Sequence, residues 1–540
     1  MSSVQKSPEK SAPLLPLRLR LRRFSRSRRA LILLLAGASL LYGLGLGQTD
    51  LWAPDEPRYG AIAEELRSLR HGAPGLVLLH LNDTPYTQKP PLYFWLAAAI
   101  GAPFERVHET AARLPSAIAG VLCIGLTAWI GRMLFGRPMP AILAAGILAT
   151  SFRFAFTARR AQLDVLLTCF ELVAIAIFLV LESKRGGIEN ARRFPLALAG
   201  LHASLGAAAL VKGPVGWLPL LVFAGYLAWE GRLQAFRAIS PFWAWTLSLG
   251  PISVWILTAV ALAPAGFAEK AVGENLIGRF FAGTSHARPF YYFAIQLPLD
   301  FLPWSLLLPF AIPVVWGWSR SSSEKIDGAS GNSSDTSSST APPSSPGSAW
   351  TARFLLVWLI VPLVFFSLSA GKRGLYLLPI FPALALVSVL AGSRATAATC
   401  RSPILSPITV RRFMLAIAIV AGLELAGFTL ALPRLDSEKS PRPIAEAAAS
   451  FSKNGEPIGV YGMTPLEGGI AYYGAGPLVS LRDESQLQTF LSQGGKLVIL
   501  RGRHFDSLGP SLGLRELQSF RSGRRRLALA QRTELDPQGE

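Results

Sequence analysis

The chain has 540 residues, of which 51% are hydrophobic and only 16% are charged. An ordinary soluble domain carries about 25% charged residues, so the composition excludes that class. A formal net charge of +20 is typical of nucleic-acid-binding proteins. Here, however, the basic residues flank apolar stretches, as they do in the cytoplasmic loops of membrane proteins. We therefore expect a polytopic α-helical membrane protein with no nucleic-acid partner.

Long apolar blocks divide the sequence. Because a helix of about 20 apolar residues crosses a bilayer, we interpret eleven blocks as membrane spans and expect about 11–13 transmembrane helices. The blocks are residues 30–47, 111–130, 139–150, 165–181, 194–211, 215–228, 242–263, 293–315, 354–369, 375–391 and 414–432.

The charges between the blocks predict the orientation. Residues 1–29 contain seven arginines close to the first block. We therefore place this basic N-terminus in the cytoplasm and take the first block as a retained anchor. Counting forward, the even-numbered blocks end in basic loops, which agrees with this choice. The chain is expected to be a multi-pass protein of the bacterial inner membrane.

The membrane domain is expected to span residues 30–432, with one linker inside it and one domain after it. Residues 319–348 are rich in Ser, Gly and Pro and cannot bury a core, so they are interpreted as a disordered cytoplasmic linker. Residues 433–540 have soluble character and are predicted to form a small α/β domain outside the cytoplasm. Its predicted strands are 458–461, 478–481 and 497–500, with helices at 443–451 and 484–491.

The first outside loop, residues 48–108, is too long for a simple turn. Tyr59, Ile62, Ala63 and Leu66 share one face of a predicted helix, which suits a helix lying along the membrane surface. A second helix is predicted after Lys89, where two prolines favour a first helical turn. It is apolar but short for a span, so we interpret it as interfacial or re-entrant.

Two adjacent carboxylates, Asp55 and Glu56, follow the first block and lie close to Arg58. Such a pair at a membrane surface could supply a general base or a metal ligand. The alternative is a helix N-cap, because Asp is favoured at that position for structural reasons.

Several basic residues break the positive-inside pattern, because they lie on the outer side. They are Arg58, Lys89, Lys212, Arg279, Lys372 and Arg373. Asp164 lies at the outer start of the fourth block, where a carboxylate is a candidate functional group; a salt bridge to Arg159 or Arg160 is the alternative. Lys89 could snorkel, or it could bind a phosphate together with the free N–H groups of a helix start. Cations around carboxylates at a membrane interface suit a lipid-linked phosphate whose head group is processed outside.

An ordered set of motifs resembles one family. The motifs are Asp55-Glu56-Pro57-Arg58-Tyr59, Lys89-Pro90-Pro91-Leu92, Leu163-Asp164, Lys212-Gly213-Pro214, residues 275–281 with 289–293, and the run FSLSAGKRGLYLLPIFP at 366–382. The set resembles the bacterial aminoarabinose (4-amino-4-deoxy-L-arabinose) transferases, which belong to the wider dolichyl-phosphate-mannose protein mannosyltransferase group with a GT-C membrane fold.

The resemblance implies a GT-C glycosyltransferase that takes a sugar from a polyprenyl-phosphate donor and passes it to a lipid A-like glycolipid or to a protein. By motif position, Asp55 would be the leading catalytic carboxylate and Asp164 the second. The residues implied to hold the donor phosphate or the substrate are Arg58, Tyr59, Lys89, Lys212, Arg279, Lys372 and Tyr376.

The resemblance also raises the question of a metal. Glu56 and His286 are the candidate ligands of a divalent metal. The chain has Gln88 where the family typically has Glu before the Lys-Pro-Pro motif, and a neutral amide is a poor metal ligand. No cofactor is therefore assigned.

Two alternatives stay open at this point. An acceptor hydroxyl would need Asp55 to remove its proton, whereas an acceptor phosphate would arrive deprotonated and Asp55 would then orient the sugar. The other candidate functions are a transporter or flippase of lipid-linked saccharides, which would place ionisable residues near the membrane midplane, and a structural protein that binds cell-wall material.

Overall fold

The structure of the chain is a computed structural model. It describes residues 17–184, 186–270, 273, 287–320, 349–392, 405–452, 455–474, 476–523 and 525–533, without the side chains of 17–26, 464 and 465. Two candidate site residues, Arg279 and His286, and residues 321–348 of the predicted linker lie outside the described residues.

A long first helix leads into the first loop, which forms the two predicted helices and a third helix of four residues between them. The elements of this region are α1 (Leu17–Gly43), α2 (Glu56–Arg67), α3 (Gly72–Gly75), β1 (His80–Leu81), β2 (Thr84–Pro85) and α4 (Leu92–Gly101). The strands β1 and β2 form a small antiparallel pair.

The apolar face of α2 does not lie on a membrane surface as predicted. Its members Tyr59, Ile62, Ala63 and Leu66 are buried in protein, and α2 packs directly on α4. The physical reason is that α4 offers Tyr93 and two neighbouring apolar turns as a better partner than an interface, since packed protein removes the whole face from water.

The membrane domain continues with thirteen labelled helices joined by short turns. They are α5 (Glu109–Phe135), α6 (Pro138–Ala149), α7 (Phe152–Ala158), α8 (Leu163–Glu182), α9 (Pro195–Lys212), α10 (Leu218–Trp229), α11 (Phe236–Ile239), α12 (Phe242–Leu262), α13 (Tyr292–Asp300), α14 (Leu308–Arg320), α15 (Ala349–Leu368), α16 (Phe381–Ser388) and α17 (Pro407–Ala426). Short 3-10 turns lie at Ile188–Arg193, Gly213–Trp217, Leu233–Ala235, Trp304–Leu307, Gly374–Ile380, Val389–Gly392 and Leu432–Leu435, and a π-helical turn at Gly427–Ala431.

Each of the eleven predicted spans falls on helical residues, although residues 293–315 cover two helices, α13 and α14, with the turn Trp304–Leu307 between them. Within the described residues, seven helical stretches are long and apolar enough to cross a membrane, or nine if two bent pairs each cross as one span. The bent pairs are α6 with α7, at 68°, and α13 with Trp304–Arg320, at 108°. The stretch Pro195–Trp229 holds two predicted spans, which meet near Gly213, where a φ of +73° favours glycine. The remaining predicted span lies on α1.

The helix α5 lies at the centre of the bundle. It packs against α1, α4, α6 and α8. The helices α8 and α16 are largely enclosed by protein, whereas α12 and α17 are mostly exposed at the periphery. The apolar surface of the peripheral helices suits contact with lipid, since a bilayer rather than water surrounds them.

The chain ends in a small domain built around a five-stranded sheet. Its elements are α18 (Asp436–Lys439), α19 (Arg442–Phe451), β3 (Ile458–Tyr461), α20 (Thr464–Tyr473), β4 (Leu478–Leu481), α21 (Glu484–Ser492), β5 (Leu497–Arg501), α22 (Gly502–Leu508), β6 (Leu514–Ser522) and β7 (Arg525–Arg532). The strand order is β4-β3-β5-β7-β6, with β4, β3 and β5 parallel and β6 and β7 antiparallel.

The three predicted strands are the parallel part of this sheet. Four consecutive residues of β5 are buried, as expected for a strand covered on both faces. The predicted helices lie at α19 and α21. The hairpin β6–β7 was not predicted, because its many polar and basic residues interrupt the alternation of apolar and polar residues that indicates a strand.

The small domain packs on the first loop through α20, which lies against α2. Gly468 of α20 makes this approach close: a Cβ atom there would lie 2.6 Å from the Cα of Arg58. The side-chain amide of Asn82 also joins the loop to β4, donating to the carbonyl of Leu478 at 2.8 Å and accepting from its N–H at 3.3 Å. The domain therefore covers the helix on which three candidate site residues, Glu56, Arg58 and Tyr59, lie.

Candidate active site

Asp55 occupies the N-cap position of α2 but makes no side-chain capping bond. One carboxylate oxygen accepts from Nη2 of Arg58, and the other accepts from Nη2 of Arg373 at 2.9 Å. The side chain is 5% exposed. Burial alone would raise the pKa of Asp55, but the charges of Arg373 and Arg58 outweigh it and lower the pKa below its ordinary value. Asp55 is therefore an ionised carboxylate and a weak base.

Arg58 contacts several residues, but not all of its N–H groups have a hydrogen-bond acceptor among the described residues. Its Nη1 donates to Oε1 of Gln88 at 3.3 Å, and its guanidinium carbon lies 5.5 Å from the ring centre of Tyr59. Burial alone would lower the pKa of Arg58, but nearby Tyr86, Tyr59 and Asp55 raise it. Among the described residues, no acceptor meets its buried Nε. An anionic ligand would supply that acceptor.

Tyr59 supports Arg58 from within the protein. It is 3% exposed, and its ring packs edge-on against Phe94 at 5.4 Å and is tilted against Tyr93 at 6.2 Å. Burial raises the pKa of Tyr59, and Asp55 raises it further. The predicted role in donor binding is therefore indirect in this geometry, because the ring faces its packing partners.

Glu56, the neighbour of Asp55, is fully buried and completely surrounded by donors. Oε1 accepts from Nε of Arg113 at 2.9 Å and from the N–H of Ala161 at 2.8 Å. Oε2 accepts from Arg160 at 2.7 Å and from the N–H of Trp52 at 3.1 Å. Burial would raise the pKa of Glu56, but Arg113 and Arg160 lower it to about 2. This arrangement favours a structural role over the predicted role as metal ligand.

Arg113 is an important residue that was not predicted from the sequence. It lies on α5, is 2% exposed, and also donates to the carbonyl oxygens of Leu46, Thr49 and Asp50. The sequence did contain an indication of its role, since an arginine at the end of an apolar span needs buried partners. Together with Glu56 it ties the first loop to the bundle.

Asp164, in the first turn of α8, pairs with neither Arg159 nor Arg160. Its Oδ1 accepts from Nζ of Lys212, which is the last residue of α9. The same ammonium lies 4.7 Å from the ring centre of Tyr376. Three motifs predicted from separate parts of the sequence therefore meet at one place.

Lys372 and Arg373 are adjacent but have different surroundings. Lys372 is buried, and its ammonium donates to the carbonyl oxygens of Arg288 and Ser369. Arg373 reaches Asp55. Arg373 therefore contacts the site, whereas Lys372, which was predicted to bind the donor, holds two backbone segments together.

Lys89 is half-buried and is separated from α4 by Pro90 and Pro91; its neighbour Gln88 is the acceptor for Arg58. Its position at the start of this helix keeps it a candidate for the donor phosphate.

The described residues around Asp55 do not fit a divalent metal. Both oxygens of Glu56 are occupied by donors, and the amide oxygen of Gln88 accepts from Arg58. A group with ligand-type spacing, Glu65 with His71 and Asp83, lies at the other end of α2. At 1.5 Å per helical residue it is about 15 Å from Asp55.

The arrangement as a whole suits an anionic ligand. Asp55 and Asp164 each contact cations, while Arg58 retains an unsatisfied donor. Most of these groups are buried or half-buried, where charges act more strongly than in water. Such a site can hold a phosphate group and stabilise charge that develops on it.

Known proteins resemble this chain in sequence. The sequence model of the dolichyl-phosphate-mannose-protein mannosyltransferase family matches residues 29–266. Two undecaprenyl phosphate-α-4-amino-4-deoxy-L-arabinose arabinosyl transferases of Pseudomonas fluorescens Pf-5 are 30% and 31% identical over 369 and 371 residues. The matches cover 68% and 67% of this chain but 56% and 59% of the relatives, so the chain spans less than two thirds of their length.

A solved structure shares the fold. ArnT from Cupriavidus metallidurans, crystallised with undecaprenyl phosphate, superposes with a TM-score of 0.70 at 20% identity, covering 92% of this chain and 97% of that one. The apolar helices and these relatives together place the chain among multi-pass proteins of the bacterial inner membrane.

Proposed function

Since the chain belongs to the GT-C membrane glycosyltransferase family of the aminoarabinose transferases and protein mannosyltransferases, we propose that it moves a sugar from a polyprenyl-phosphate-linked donor to an acceptor outside the cytoplasm. The acceptor is a lipid A-like glycolipid or a protein. The observation that carries this proposal is the pairing of Asp55 with Arg58 and Arg373, beside a buried donor, Nε of Arg58, that has no acceptor among the described residues.

The proposal assigns the carboxylates and the cations to different tasks. Asp55 is the leading catalytic carboxylate and Asp164 the second. Arg58, Lys89 and Lys212 hold the donor phosphate, with Tyr376 beside them and Arg279 as a further candidate. Arg373 joins this group because it reaches Asp55.

In the proposed reaction, the bond between the anomeric carbon and the donor phosphate oxygen breaks. Its electron pair leaves with the polyprenyl phosphate, where Arg58, Lys89 and Lys212 stabilise the charge. An oxygen of the acceptor forms the new bond to the same carbon. If that oxygen belongs to a hydroxyl, its proton passes to Asp55. The lowered pKa of Asp55 makes it a weak base, so this carboxylate suits an acceptor oxygen that is already ionised, with Asp55 orienting the sugar.

The proposed orientation places the N-terminus in the cytoplasm and the small domain outside. It is supported by a cluster of basic residues at the end of the bundle opposite Asp164. There Arg232 pairs with Glu182 at the far end of α8, and the exposed Arg192 and Arg193 lie close by in the chain. A basic cluster of this kind favours the cytoplasmic side.

The test is an assay of the purified, detergent-solubilised chain with a polyprenyl-phospho-sugar. Release of polyprenyl phosphate that requires an acceptor is the expected result. Movement of the intact donor across a vesicle membrane, without cleavage, would instead make the chain a flippase. If the assay shows no release of polyprenyl phosphate and no movement of the donor, the proposal is overturned and a binding role remains.

A further inference from the structure

A cavity of about 830 Å³ lies between α1, α5, α6 and the start of α17. It is far from Asp55, because its lining residue Arg132 lies about 28 Å beyond Arg113 along the axis of α5. In the proposed orientation this is the cytoplasmic end of the bundle. The volume lies within the range of about 300–1,000 Å³ that is typical of ligand pockets, yet the proposed transfer reaction gives the cavity no role.

One wall of the cavity is a face of α5 that changes from apolar to basic along its length. The residues of this wall recur at the spacing of a single helix face and are Gly125, Ala128, Trp129 and Arg132. Gly125 and Arg132 are about 10 Å apart along the helix axis. Trp129 is 48% exposed, and tryptophan is enriched where a membrane meets water. The cavity therefore has a basic end at the membrane surface and an apolar end inside the bilayer.

The basic end holds three arginines from three helices. Arg28 lies on α1, Arg132 on α5, and Arg137 at the N-cap position of α6. Among the described residues, no aspartate or glutamate lines the cavity, and neither Arg28 nor Arg132 makes a salt bridge. Arg137 makes no side-chain capping bond, so the first N–H groups of α6 can donate to an anion.

Other arginines at this end of the bundle have structural partners. Arg232 pairs with Glu182 at 2.6 Å, and Arg353 pairs with Glu230 at 3.0 Å. A preference for the cytoplasmic side accounts for basic residues in loops, but not for arginines that converge on an apolar cavity without carboxylates. An anionic ligand in the cavity accounts for that convergence.

The two ends of the cavity together select the kind of ligand. Guanidinium groups match the geometry of a phosphate, and basic pockets between membrane helices on the cytoplasmic side suit phospholipid head groups. One turn further into the membrane than the arginines, the lining is apolar and includes Leu31 of α1 and Ile142 of α6. A free phosphate would leave this apolar end unfilled, and a neutral lipid would leave the arginines without a counter-charge. An anionic phospholipid fits both ends.

We propose that this cavity binds an anionic phospholipid of the cytoplasmic leaflet, with its phosphate among Arg28, Arg132 and Arg137 and its acyl chains against the apolar end. The bound lipid joins α1 to α5, the two helices that lead into and out of the first loop, and it thereby stabilises the folded chain. The inference goes beyond the proposed function, and it uses the proposed orientation only to name the leaflet.

The first test measures lipid binding to the purified full chain in detergent, after co-purified lipid has been removed. Phosphatidylglycerol is the anionic probe, and phosphatidylcholine with the same acyl chains is the neutral one. Native mass spectrometry should show saturable binding of phosphatidylglycerol, about tenfold tighter than that of phosphatidylcholine. The Tm should rise over the same range of phosphatidylglycerol concentration, because a ligand of the folded chain stabilises it.

Two arginine variants test the basic end. Arg28→Gln combined with Arg132→Gln removes two cavity cations, so it should weaken the binding of phosphatidylglycerol about tenfold or more. Arg193→Gln is the matched control, because Arg193 is an exposed arginine at the same end of the bundle that does not line the cavity. The control should bind phosphatidylglycerol as the wild type does.

A further variant fills the apolar end. A Cβ atom at Gly125 would lie 3.8 Å from Cδ2 of Leu35, an ordinary van der Waals distance, so Gly125→Leu should keep the fold and extend into the cavity. It should weaken the binding of phosphatidylglycerol while the Tm without lipid stays unchanged. Gly37→Leu is the control, because open space surrounds Gly37 of α1 and it does not line the cavity.

Three results would overturn the inference. Equal binding of both lipids would make the cavity an apolar groove without selectivity for charge. Equal stabilisation by glycerol phosphate, a soluble head group without acyl chains, would make it a site for free anions. No saturable binding, or binding of phosphatidylglycerol that neither the double arginine variant nor Gly125→Leu weakens, would leave the arginines as orientation signals only. Because none of these measurements uses a sugar donor, their outcome is separate from that of the polyprenyl phosphate assay.

Discussion

The first turn of α2 holds two neighbouring carboxylate clusters with opposite character. The Glu56 cluster has donors on every side: two arginines and two backbone N–H groups meet its two oxygens. Among the described residues, the carboxylate of Asp55 accepts hydrogen bonds from two side chains, Arg58 and Arg373, and Arg373 lies 318 residues away in the sequence. The side chains of these arginines are 18% and 34% exposed.

The difference teaches which carboxylate is free to act. A carboxylate with all of its oxygen positions fixed by buried donors holds the fold together, since any change of its charge leaves those donors unsatisfied. A carboxylate held by partly exposed side chains can exchange one partner for a ligand. Adjacent residues of similar chemistry therefore have separate roles.

The largest effect is expected from Glu56→Gln, which breaks the first cluster. The change leaves Arg113 buried without its counter-charge, at a cost of about 3–5 kcal/mol. We expect little folded protein after detergent extraction, measured by size-exclusion yield and thermal unfolding. Glu446→Gln is the matched control, because Glu446 is 63% exposed and its loss should leave the yield unchanged. A stable Glu56→Gln protein would contradict the structural role.

Asp55→Asn should have the opposite result, with the fold kept and the chemistry lost. Transfer should fall by about 10²–10⁴-fold, the range for a catalytic carboxylate, as measured by polyprenyl phosphate release. Asp483→Asn is the control: Asp483 does cap its helix, accepting from the N–H of Gln486 at 2.9 Å, and Asn caps equally well. Near-normal turnover in Asp55→Asn would remove Asp55 from the mechanism.

Lys89→Ala tests whether Lys89 contacts the donor phosphate at the Asp55 cluster. Losing one charged contact to the donor phosphate should raise the KM for the donor about tenfold or more while kcat changes less. The measurement is a donor titration at saturating acceptor, with Lys496→Ala, a change at an exposed lysine of the small domain, as the control. An unchanged donor affinity would exclude the phosphate role of Lys89.

Gly468→Ala tests whether the small domain positions the Asp55 cluster. The new Cβ would lie 2.6 Å from the Cα of Arg58, so α20 must shift away from α2. A displacement of this kind near reacting groups should lower kcat, by about tenfold, with modest loss of stability. Gly422→Ala serves as the control, because open space surrounds Gly422. If kcat is unchanged, the contact between α20 and α2 is only structural.

The smallest effect concerns pH. The pKa of Glu56 in the folded chain is about 2, below its ordinary value of 4.5, so its contribution is complete above pH 4.5 and is lost as the pH falls towards 2. The full contribution is about 3 kcal/mol. Thermal unfolding should therefore be insensitive to Glu56 between pH 7 and 5. If the wild-type protein and the Glu446→Gln control instead both lose stability with a midpoint above pH 5, this assignment is contradicted.

Much of the fold could be predicted from the sequence, because membrane spans are recognised by their length and apolar composition. All eleven predicted spans fall on helical residues, although two of them lie on bent helix pairs, and the family resemblance drawn from ordered motifs is confirmed. The face of α2 was assigned wrongly, because periodicity shows that a face is buried but does not identify what buries it. The β6–β7 hairpin was missed for lack of an apolar pattern.

The candidate site was predictable in its parts but not in its pairings. Asp55, Asp164, Arg58 and Lys212 were named from the sequence, and the structure pairs Asp55 with Arg58 and Asp164 with Lys212. That Arg373 rather than Lys372 reaches Asp55 depends on a tertiary contact that no local pattern encodes. The metal and binding roles of Arg279, His286 and Lys89 stay predictions.

The central claim is that the donor phosphate binds at the Asp55 cluster. The most direct measurement is an experimental structure of the Asp55→Asn protein with a polyprenyl-phospho-sugar bound. We expect the phosphate within hydrogen-bond distance of Nε of Arg58, with Lys89 and Lys212 close by and the anomeric carbon facing residue 55. A donor phosphate bound at the opposite end of the bundle, or between helices away from α2, would contradict the account.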